Sequence, residues 1–498
     1  MDNKLYSKVG NATKWSAITE ILSKIVTPIS NMLLARLLAP EAFGIVATIT
    51  MITSFADVFT DAGFQKYIIQ HQFKDEKEKE QNITVAFWTN LSISCLIWLL
   101  IVIFVQPLSA MVGTSGNEVS VIVASFVLIL TAFSSIQIAI YKSIFDFKTL
   151  FIVKCILIIV PFVVTIPVAL ITKSFWSLIV GNLVLNFTNA VVLTIKSPWK
   201  PRFFYNIRIL KEMLSFSIWS LIDNVLNWLT TWGDTFIIGI TLTAYYVGLY
   251  KTTMNTVNSI MAIITGATTS VLLTALSKLQ NDKNEFDKML FKFQHLTSML
   301  LVPLGTGVFL YRKLVTTILL GSQWMEAENF VGMWGLMSAI AVLFNTYGSC
   351  VCIAKGRPKL SALAQVLQLT VLFPVVYFTS GLGFPVLYTA RTLIRIEGII
   401  VYVVIMKFCF KISILEMFYQ IAVPLFASIV MAGVSIVLQM ISDSFIWSCI
   451  SVLICMLAYF LTMMIFPKER KEIMGYTSKF KKKITFRGKE NCQNKKKN

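Results

Sequence analysis

Apolar stretches of more than twenty residues recur along the whole chain, and they constrain its fold more than any other feature. Such stretches are long enough to cross the hydrocarbon core of a bilayer as α-helices. A membrane-spanning β-barrel would instead show alternating segments of about ten residues. The composition agrees, because 56% of the 498 residues are hydrophobic, 14% are charged and the mean hydropathy is +0.73. The sequence therefore predicts an all-α polytopic membrane protein rather than a soluble globular one.

The number of apolar stretches predicts about fourteen transmembrane helices. Lys and Arg are concentrated in every second connection, so the positive-inside rule places both termini in the cytoplasm. The predicted segments are a cytoplasmic leader (1–12), an N-terminal six-helix lobe (13–195), a basic cytoplasmic linker (196–212), a C-terminal six-helix lobe (213–410), two additional C-terminal helices (411–466) and a basic cytoplasmic tail (467–498).

The first predicted hairpin recurs weakly 204 residues further along the chain. Over the ungapped positions 15–44, seven residues are identical to their counterparts, among them the pairs Trp15/Trp219 and Gly44/Gly248. Chance would give about two or three identities between apolar segments of this length. Duplicated halves are common in transporters, so we predict two pseudo-symmetric lobes related by an axis along the membrane normal. The alternative is a coincidence between two apolar segments.

Ionisable residues interrupt several of the predicted spans. A charge in hydrocarbon costs about 2.5–3.5 kcal/mol, so such residues usually face a water-filled or protein interior. We interpret the cations as candidates for binding a diphosphate or sugar, and the anions as candidates for ion coupling or as counter-charges. The cations are Lys24, Arg36, Lys251, Arg391 and Arg395, and the anions are Glu20, Asp57, Asp61, Asp223, Asp234 and Glu397.

The pair Arg391 and Arg395 is the most informative of these. Four residues apart, the two side chains share one face of a predicted helix. Two guanidinium groups on one face suit a diphosphate, because Arg binds phosphate oxygens with bidentate geometry. Glu397 is two residues from Arg395 and points to another part of the helix surface. For Arg36, near a helix end, the ordinary alternative is that it reaches to the membrane interface.

The sequence gives little support for an enzyme, a metalloprotein or a nucleic-acid-binding protein. There is no nucleophile elbow and no phosphate-binding glycine loop, and the external loops are short. No metal or cofactor is expected, because no two of the eight cysteines form a CxxC pair, and His71 and His295 lie in or near predicted loops without ligand partners. The net charge of +19 is scattered through short loops and one tail, which does not indicate nucleic acid.

The segment 34–44, Leu-Ala-Arg-Leu-Leu-Ala-Pro-Glu-Ala-Phe-Gly, resembles the first-hairpin signature of bacterial polysaccharide exporters. These Wzx-like proteins are lipid-linked oligosaccharide flippases of the multidrug/oligosaccharidyl-lipid/polysaccharide exporter superfamily. Weaker matches follow in the order and spacing of the family at 61–64, 248–250, 276–280 and 320–324. The resemblance covers most of the chain, from residue 10 to residue 465.

The resemblance implies two six-helix lobes around a central cavity, with two extra helices. It implies an undecaprenyl-diphosphate-linked oligosaccharide as the substrate, turned by alternating access from the cytoplasmic to the outer leaflet of the bacterial plasma membrane. The product would serve synthesis of O-antigen, capsule or exopolysaccharide. The implied partners are this substrate, membrane lipid, and a polysaccharide polymerase and chain-length regulator.

Three other interpretations stay open from the sequence. A cation-coupled multidrug or small-molecule exporter of the same superfamily would have an acidic, apolar pocket in one lobe, and the paired arginines argue against it. A membrane glycosyltransferase or polymerase would need an acid–base cluster and a larger external loop. A flippase for lipid II is compatible with the number of spans, but the hairpin signature resembles the polysaccharide exporters more closely.

Overall fold

The computed structural model describes residues 2–61, 63–71, 73–472 and 474–475, and every regular element in them is helical. The α-helices are α1 (Asp2–Leu37), α2 (Pro40–Asp61), α3 (Phe64–Gln70), α4 (Glu76–Ile103), α5 (Val105–Met111), α6 (Glu118–Ser125), α7 (Val127–Ser143), α8 (Phe147–Val160), α9 (Ile166–Thr172), α10 (Trp176–Lys196), α11 (Ile207–Thr241), α12 (Ala244–Lys278), α13 (Lys283–Leu310), α14 (Arg312–Leu319), α15 (Glu328–Ala341), α16 (Tyr347–Ala354), α17 (Pro358–Ser380), α18 (Phe384–Phe410), α19 (Ile414–Gln439) and α20 (Phe445–Ile465). Short π-helical turns at Pro161–Thr165 and Val342–Thr346 and a 3-10 turn at Ser322–Ala327 connect some of them.

The all-α membrane fold is confirmed, but the predicted count of about fourteen spans is not. In the described residues, eleven helices are long and apolar enough to cross a membrane. Helix α12 is bent by 42° between Ala244–Gly266 and Thr268–Lys278, and it makes a twelfth if these two parts form one span. Helices α11 and α18, which lie mostly within the predicted C-terminal six-helix lobe (213–410), are not among them. Helix α18 is 27 residues long, but its charged residues lower its apolar character.

Five of the described helices begin at a polar side chain that accepts a hydrogen bond from a backbone N–H of the first turn. Asp75 caps α4, Asp146 caps α8, Asn206 caps α11, Asp282 caps α13 and Ser413 caps α19. Such a cap satisfies one of the N–H groups that have no partner within the helix. All five caps lie in or beside connections that the Lys and Arg distribution assigns to the cytoplasmic side, where polar groups can meet water.

The described chain divides into two compact units. The first comprises the described parts of Met1–Ala267, Val315–Trp334 and Lys359–Gly398. Within it, α1 packs on α8 and α9, α2 packs on α4, α7 and α11, and α7 packs on α10. Trp199 and Met213 join a buried cluster with Phe64 and Phe87, so the basic linker is anchored on the first helices by apolar contacts. The lobe boundaries expected from the sequence remain a prediction.

The second unit comprises the described parts of Thr268–Leu314, Gly335–Pro358 and Ile399–Asn498. Helix α13 packs along α19, and α19 packs along α20. The hydroxyl of Tyr459 donates to the Met299 carbonyl at 3.0 Å, which ties α20 to α13. Such a bond satisfies polar groups that lipid cannot satisfy.

Candidate functional site

Three helices of the first unit meet at a buried ion pair. Asp234 of α11 and Arg391 of α18 are 1% and 5% exposed, and Arg391 Nε lies 3.2 Å from Asp234 Oδ2. The hydroxyl of Tyr250, on α12, donates to the same oxygen at 2.7 Å. Asp234 Oδ1 accepts the backbone N–H of Thr235 at 2.7 Å. Both carboxylate oxygens therefore have donors, as a buried charge requires.

Lys251, the neighbour of Tyr250 on α12, joins this cluster from the side of α11. Its Nζ donates to the Thr231 carbonyl at 2.7 Å and to Thr235 Oγ1 at 3.3 Å. The ammonium group lies 3.9 Å from the centre of the Trp232 ring, within cation–π range. The described ion pairs of Asp234 include Arg391 but not Lys251, so the positive charge of Lys251 is held by neutral groups.

Arg395 lies one turn further along α18 and is only partly buried. Its guanidinium carbon is 3.8 Å from the centre of the Trp334 ring, and that of Arg391 is 5.1 Å from the same ring. Asn258 Oδ1 accepts Trp334 Nε1–H at 3.1 Å and an Arg395 N–H at 3.4 Å. Arg395 Nε is buried and has no hydrogen-bond partner among the described atoms. The guanidinium thus keeps donor capacity for a ligand.

The cluster formed by Asp234, Tyr250, Lys251, Arg391 and Arg395 has three cationic side chains and one anionic side chain. Its excess of two positive charges favours an anion in contact with it, because the low dielectric inside a membrane protein strengthens electrostatic interactions. The sequence identified four members of this cluster. It missed the site role of Tyr250, and also Trp334 and Asn258, because uncharged residues in an apolar span give no signal of their own.

Glu397, Glu20 and Lys24 lie apart from this cluster in the described contacts. Glu397 has a buried oxygen, Oε2, without a hydrogen-bond partner among the described atoms. Lys24 and Glu20 form an ion pair of 2.9 Å along α1, with side-chain exposures of 26% and 62%. The end of the Lys24 side chain also lies against Gly266 of α12, where Nζ, Cε and Cδ are the atoms nearest to the glycine's Cβ position.

Arg36 takes part in the hydrogen bonds that surround the C-terminal end of α1. One of its Nη atoms donates to the Ile318 carbonyl at 2.6 Å. Gln323 Nε2 and Trp324 Nε1 donate to the carbonyl of the neighbouring Ala35, at 2.6 and 2.7 Å. These bonds satisfy carbonyl groups that a helix end leaves without partners. The structure therefore brings Arg36 to a helix cap and not to the cluster around Arg391.

Asp57 of α2 lines a separate polar cavity of about 220 Å³ within the first unit. Its Oδ1 accepts hydrogen bonds from Thr60 at 3.0 Å and from Thr131 at 3.2 Å. The other lining residues are mostly amides and hydroxyls: Thr60, Gln65, Asn90, Thr131, Ser134, Ser135, Ile138, Asn186 and Asn189. The structure does not describe the side chains of the remaining two predicted anions, Asp61 and Asp223.

A second cavity, of about 350 Å³, lies between α2 and α11. It shares Asp57 and Gln65 with the first and adds two indole rings and two amides: its lining is Ser54, Asp57, Val58, Gln65, Asn224, Asn227, Trp228, Thr231 and Trp232. Trp228 Nε1 donates to Ser54 Oγ at 3.1 Å, which fixes the ring. Thr231 and Trp232 also contact Lys251, so this cavity adjoins the charged cluster.

Comparisons with known proteins agree with the helical membrane fold. A family model described as polysaccharide biosynthesis protein matches residues 33–329. The chain belongs to this family, so the resemblance to bacterial polysaccharide exporters seen in the sequence is confirmed at the level of the family.

Curated relatives point the same way. An uncharacterized membrane protein in the cps region of Klebsiella pneumoniae is 24% identical over 75% of this chain and 76% of its own length. The succinoglycan biosynthesis transport protein ExoT of Rhizobium meliloti is 21% identical over 67% of each chain. The lipopolysaccharide biosynthesis protein WzxC of Escherichia coli is 19% identical over 75% of each.

Solved structures show the same fold. The lipid II flippase MurJ, in an inward closed conformation, aligns with a TM-score of 0.69 and 16% identity, over 91% of this chain and 98% of MurJ. An inward-facing multidrug resistance transporter of the MATE family aligns with a TM-score of 0.56 and 12% identity, over 82% of this chain and 98% of that protein. At these identities the likeness concerns the fold alone.

Proposed function

We propose that this protein is a flippase that turns an undecaprenyl-diphosphate-linked oligosaccharide from the cytoplasmic to the outer leaflet of the bacterial plasma membrane. The observation that carries the proposal is the buried cluster of Lys251, Arg391 and Arg395 around the single acid Asp234. A diphosphate diester carries one negative charge on each phosphate. The excess of two positive charges in the cluster therefore matches the charge of such a head group.

Arg395 is the residue that we assign to direct phosphate contact. Arg391 is engaged by Asp234 and Tyr250, whereas Arg395 has a long bond to Asn258 and an Nε without a hydrogen-bond partner in the described part of the chain. A guanidinium stacked on an indole ring is held in a fixed plane, which favours bidentate bonds to phosphate oxygens. In this proposal Arg391 positions the helix and adds charge, and Arg395 binds the ligand.

The cavity of about 350 Å³ beside the cluster is where we place the first sugars. Trp228 and Trp232 offer flat apolar faces for the C–H side of a sugar ring, and Asn224, Asn227 and Asp57 offer donors and acceptors for its hydroxyls. A pocket with an aromatic wall and a few convergent polar groups is typical of specific ligand sites. Its position next to Lys251 fits a ligand in which sugar and diphosphate are joined.

The charge of the head group supports the proposed outward direction of transport. The polyprenyl chain can stay in lipid while the polar head group crosses through the protein. With the membrane potential negative inside, outward movement of negative charge is favoured by about 2.3 kcal/mol per charge per 100 mV. We propose alternating access between two lobes as the mechanism. A polymerase and a chain-length regulator would use the product at the outer surface.

The polar cavity at Asp57 favours one alternative, a cation-coupled exporter, since a carboxylate among hydroxyl and amide oxygens is a suitable place for a small cation. A lipid II flippase is the other alternative, because its substrate is also a diphosphate-linked sugar. Transport, rather than catalysis, is common to all three.

Lipid extraction from cells that lack the protein tests the proposal. We expect the complete diphosphate-linked repeat unit to accumulate in the cytoplasmic leaflet, and expression of the wild-type protein to reverse this. Accumulation of lipid II instead would favour the cell-wall alternative. A normal lipid pool with altered drug sensitivity would overturn the proposal and favour a small-molecule exporter.

A further inference from the structure

His295, Glu469 and Glu472 converge within the second unit, although the sequence separates them widely. His295 Nε2 lies 2.7 Å from Glu469 Oε2 and 3.7 Å from Glu472 Oε2. His295 is inside α13, so the expectation that it lies in or near a loop without partners is wrong. The two glutamates are three residues apart on the short helical segment that follows α20, and thus share one face.

The hydrogen bond of the other ring nitrogen of His295, Nδ1, determines whether Nε2 has a proton in the neutral ring. Nδ1 lies 2.8 Å from the backbone carbonyl oxygen of Gln420, on α19. A carbonyl oxygen has no hydrogen to give, so the proton of this bond belongs to Nδ1. In the neutral ring Nε2 is then a lone pair that faces carboxylate oxygens. Two electron-rich atoms at this distance need a positive charge between them, either a second ring proton or a bound cation.

The carboxylate of Glu472 favours a bound cation over a second ring proton. A doubly protonated ring has one positive charge and one N–H at Nε2, which Glu469 uses at 2.7 Å. Glu472 Oε2 is a buried atom that has no hydrogen-bond partner among the described atoms, although its side chain as a whole is 33% exposed. An imidazolium would therefore give Glu472 only a longer charge contact of 3.7 Å, without a hydrogen bond. Nearby Lys468 directs its ammonium group to Gln420 Oε1, at 3.3 Å.

The three ligand atoms lie within reach of a single metal ion, since all are within 4.8 Å of one another. A tetrahedral ion with bonds of about 2.1 Å holds its ligand atoms about 3.4 Å apart. The 3.7 Å distance from Nε2 to Glu472 is near this spacing, and the 2.7 Å distance to Glu469 would lengthen by about 0.7 Å when an ion binds. A histidine that binds a metal almost always donates its other N–H to a carbonyl or carboxylate, as Nδ1 does here. Exposure of Glu472 leaves a path from solvent and room for water ligands.

We propose that His295, Glu469 and Glu472 bind one divalent transition-metal ion. One imidazole and two carboxylates form a mixed nitrogen and oxygen donor set, which suits Zn²⁺ or Mn²⁺ better than Mg²⁺ or Cu⁺. The ion would tie the segment after α20 to α13, and through Gln420 to α19. This site lies in the second unit and does not depend on the proposed transport function.

Metal titration of the full-length purified protein, prepared without a histidine tag and stripped with chelator, tests this site. Mn²⁺ observed by electron paramagnetic resonance is the first probe, because the cysteine thiols of the chain bind it poorly. We expect one equivalent of bound Mn²⁺, and a rise in melting temperature with Zn²⁺ that chelator reverses. Glu472→Gln should weaken binding at least tenfold and remove the rise.

Glu285→Gln is the matched control, because it removes an exposed carboxylate from the same unit, where Glu285 pairs with Lys288. This variant should bind Mn²⁺ as the wild-type protein does. Glu472 is partly exposed, so its substitution is compatible with folding, and size-exclusion chromatography verifies this. Absence of saturable Mn²⁺ and Zn²⁺ binding, or equal affinity of the Glu472→Gln variant and the wild-type protein, would overturn the proposal and leave a buried imidazolium–carboxylate pair.

Discussion

Gly44 of α2 and Gly248 of α12 pack so closely that neither position has room for a Cβ atom. A Cβ on Gly44 would collide with the carbonyl of Ala244, and one on Gly248 would collide with the carbonyl of Pro40. The two collisions are related by the same offset of 204 residues as the weak repeat in the sequence, since Pro40 corresponds to Ala244 and Gly44 to Gly248. In the predicted topology these helix ends lie at the outer surface, where the contact would close the first unit.

Replacing either glycine by alanine should therefore weaken this contact by a similar amount. We expect Gly44→Ala and Gly248→Ala each to destabilise the protein by about 1–3 kcal/mol, since the added methyl group forces the helices apart. The double variant should lose less stability than the sum of the losses in the two single variants, because both changes disrupt one contact. Thermal unfolding of the protein in nanodiscs measures these effects. Gly433→Ala is the control, since nothing lies within 4 Å of its Cβ position; additive effects of the two changes would argue against a shared contact.

Neutralising Asp234 should destabilise the fold. The Asp234→Asn variant leaves Arg391 buried without its counter-charge, which costs about 3–5 kcal/mol when one partner of a buried pair is removed. The double variant Asp234→Asn/Arg391→Met should regain part of this loss, because it no longer buries the unmatched guanidinium. Melting temperatures of the purified variants compare the two. A single variant as stable as the wild-type protein would mean that water or another group compensates Arg391.

Changes at Arg395 should affect transport more than stability. Its described hydrogen bond to Asn258 is long, at 3.4 Å, so Arg395→Gln should cost little stability. A lost charged hydrogen bond to phosphate is worth about 1.5–3 kcal/mol, which corresponds to a tenfold or greater loss of apparent affinity for the lipid-linked substrate. Arg395→Lys keeps the positive charge but loses the planar guanidinium group, so its transport activity should lie between those of the wild-type protein and Arg395→Gln. Complementation of a deletion strain, with protein levels measured in parallel, separates these outcomes; normal transport by Arg395→Gln would remove Arg395 from the proposed site.

Trp228 provides a test of the sugar cavity. Trp228→Phe keeps an aromatic face but loses the bond to Ser54, whereas Trp228→Ala loses both. If the ring stacks on a sugar, the Phe variant should keep most of the transport activity and the Ala variant should lose most of it. Trp447 is the control residue, because its indole N–H donates to the Leu438 carbonyl in the second unit. Trp447→Ala therefore removes a comparable, partly buried indole away from the cavity. Equal effects of the Phe and Ala variants would indicate that the hydrogen bond, and not the ring face, matters.

Long apolar stretches made the membrane helices predictable, because helix length and hydropathy are properties of neighbouring residues. Helices α11 and α18, which are not among the candidate membrane spans of the described chain, carry Asp234 and Arg391. Their polar residues reduce local hydropathy, and only partners on other helices make those residues tolerable within a bilayer.

The amino-acid sequence by itself determined the all-helical membrane fold, the family and the set of charges that need a protein interior. The tertiary structure decided which of these charges meet. It placed Arg391 against Asp234, placed Arg36 in hydrogen bonds at a helix end, and brought His295 close to two glutamates near the end of the described chain. Hydropathy and spacing report on one helix at a time, whereas an ion pair or a ligand site depends on how separate helices pack. That packing is fixed by contacts such as Gly44 with Gly248, between residues far apart in the chain.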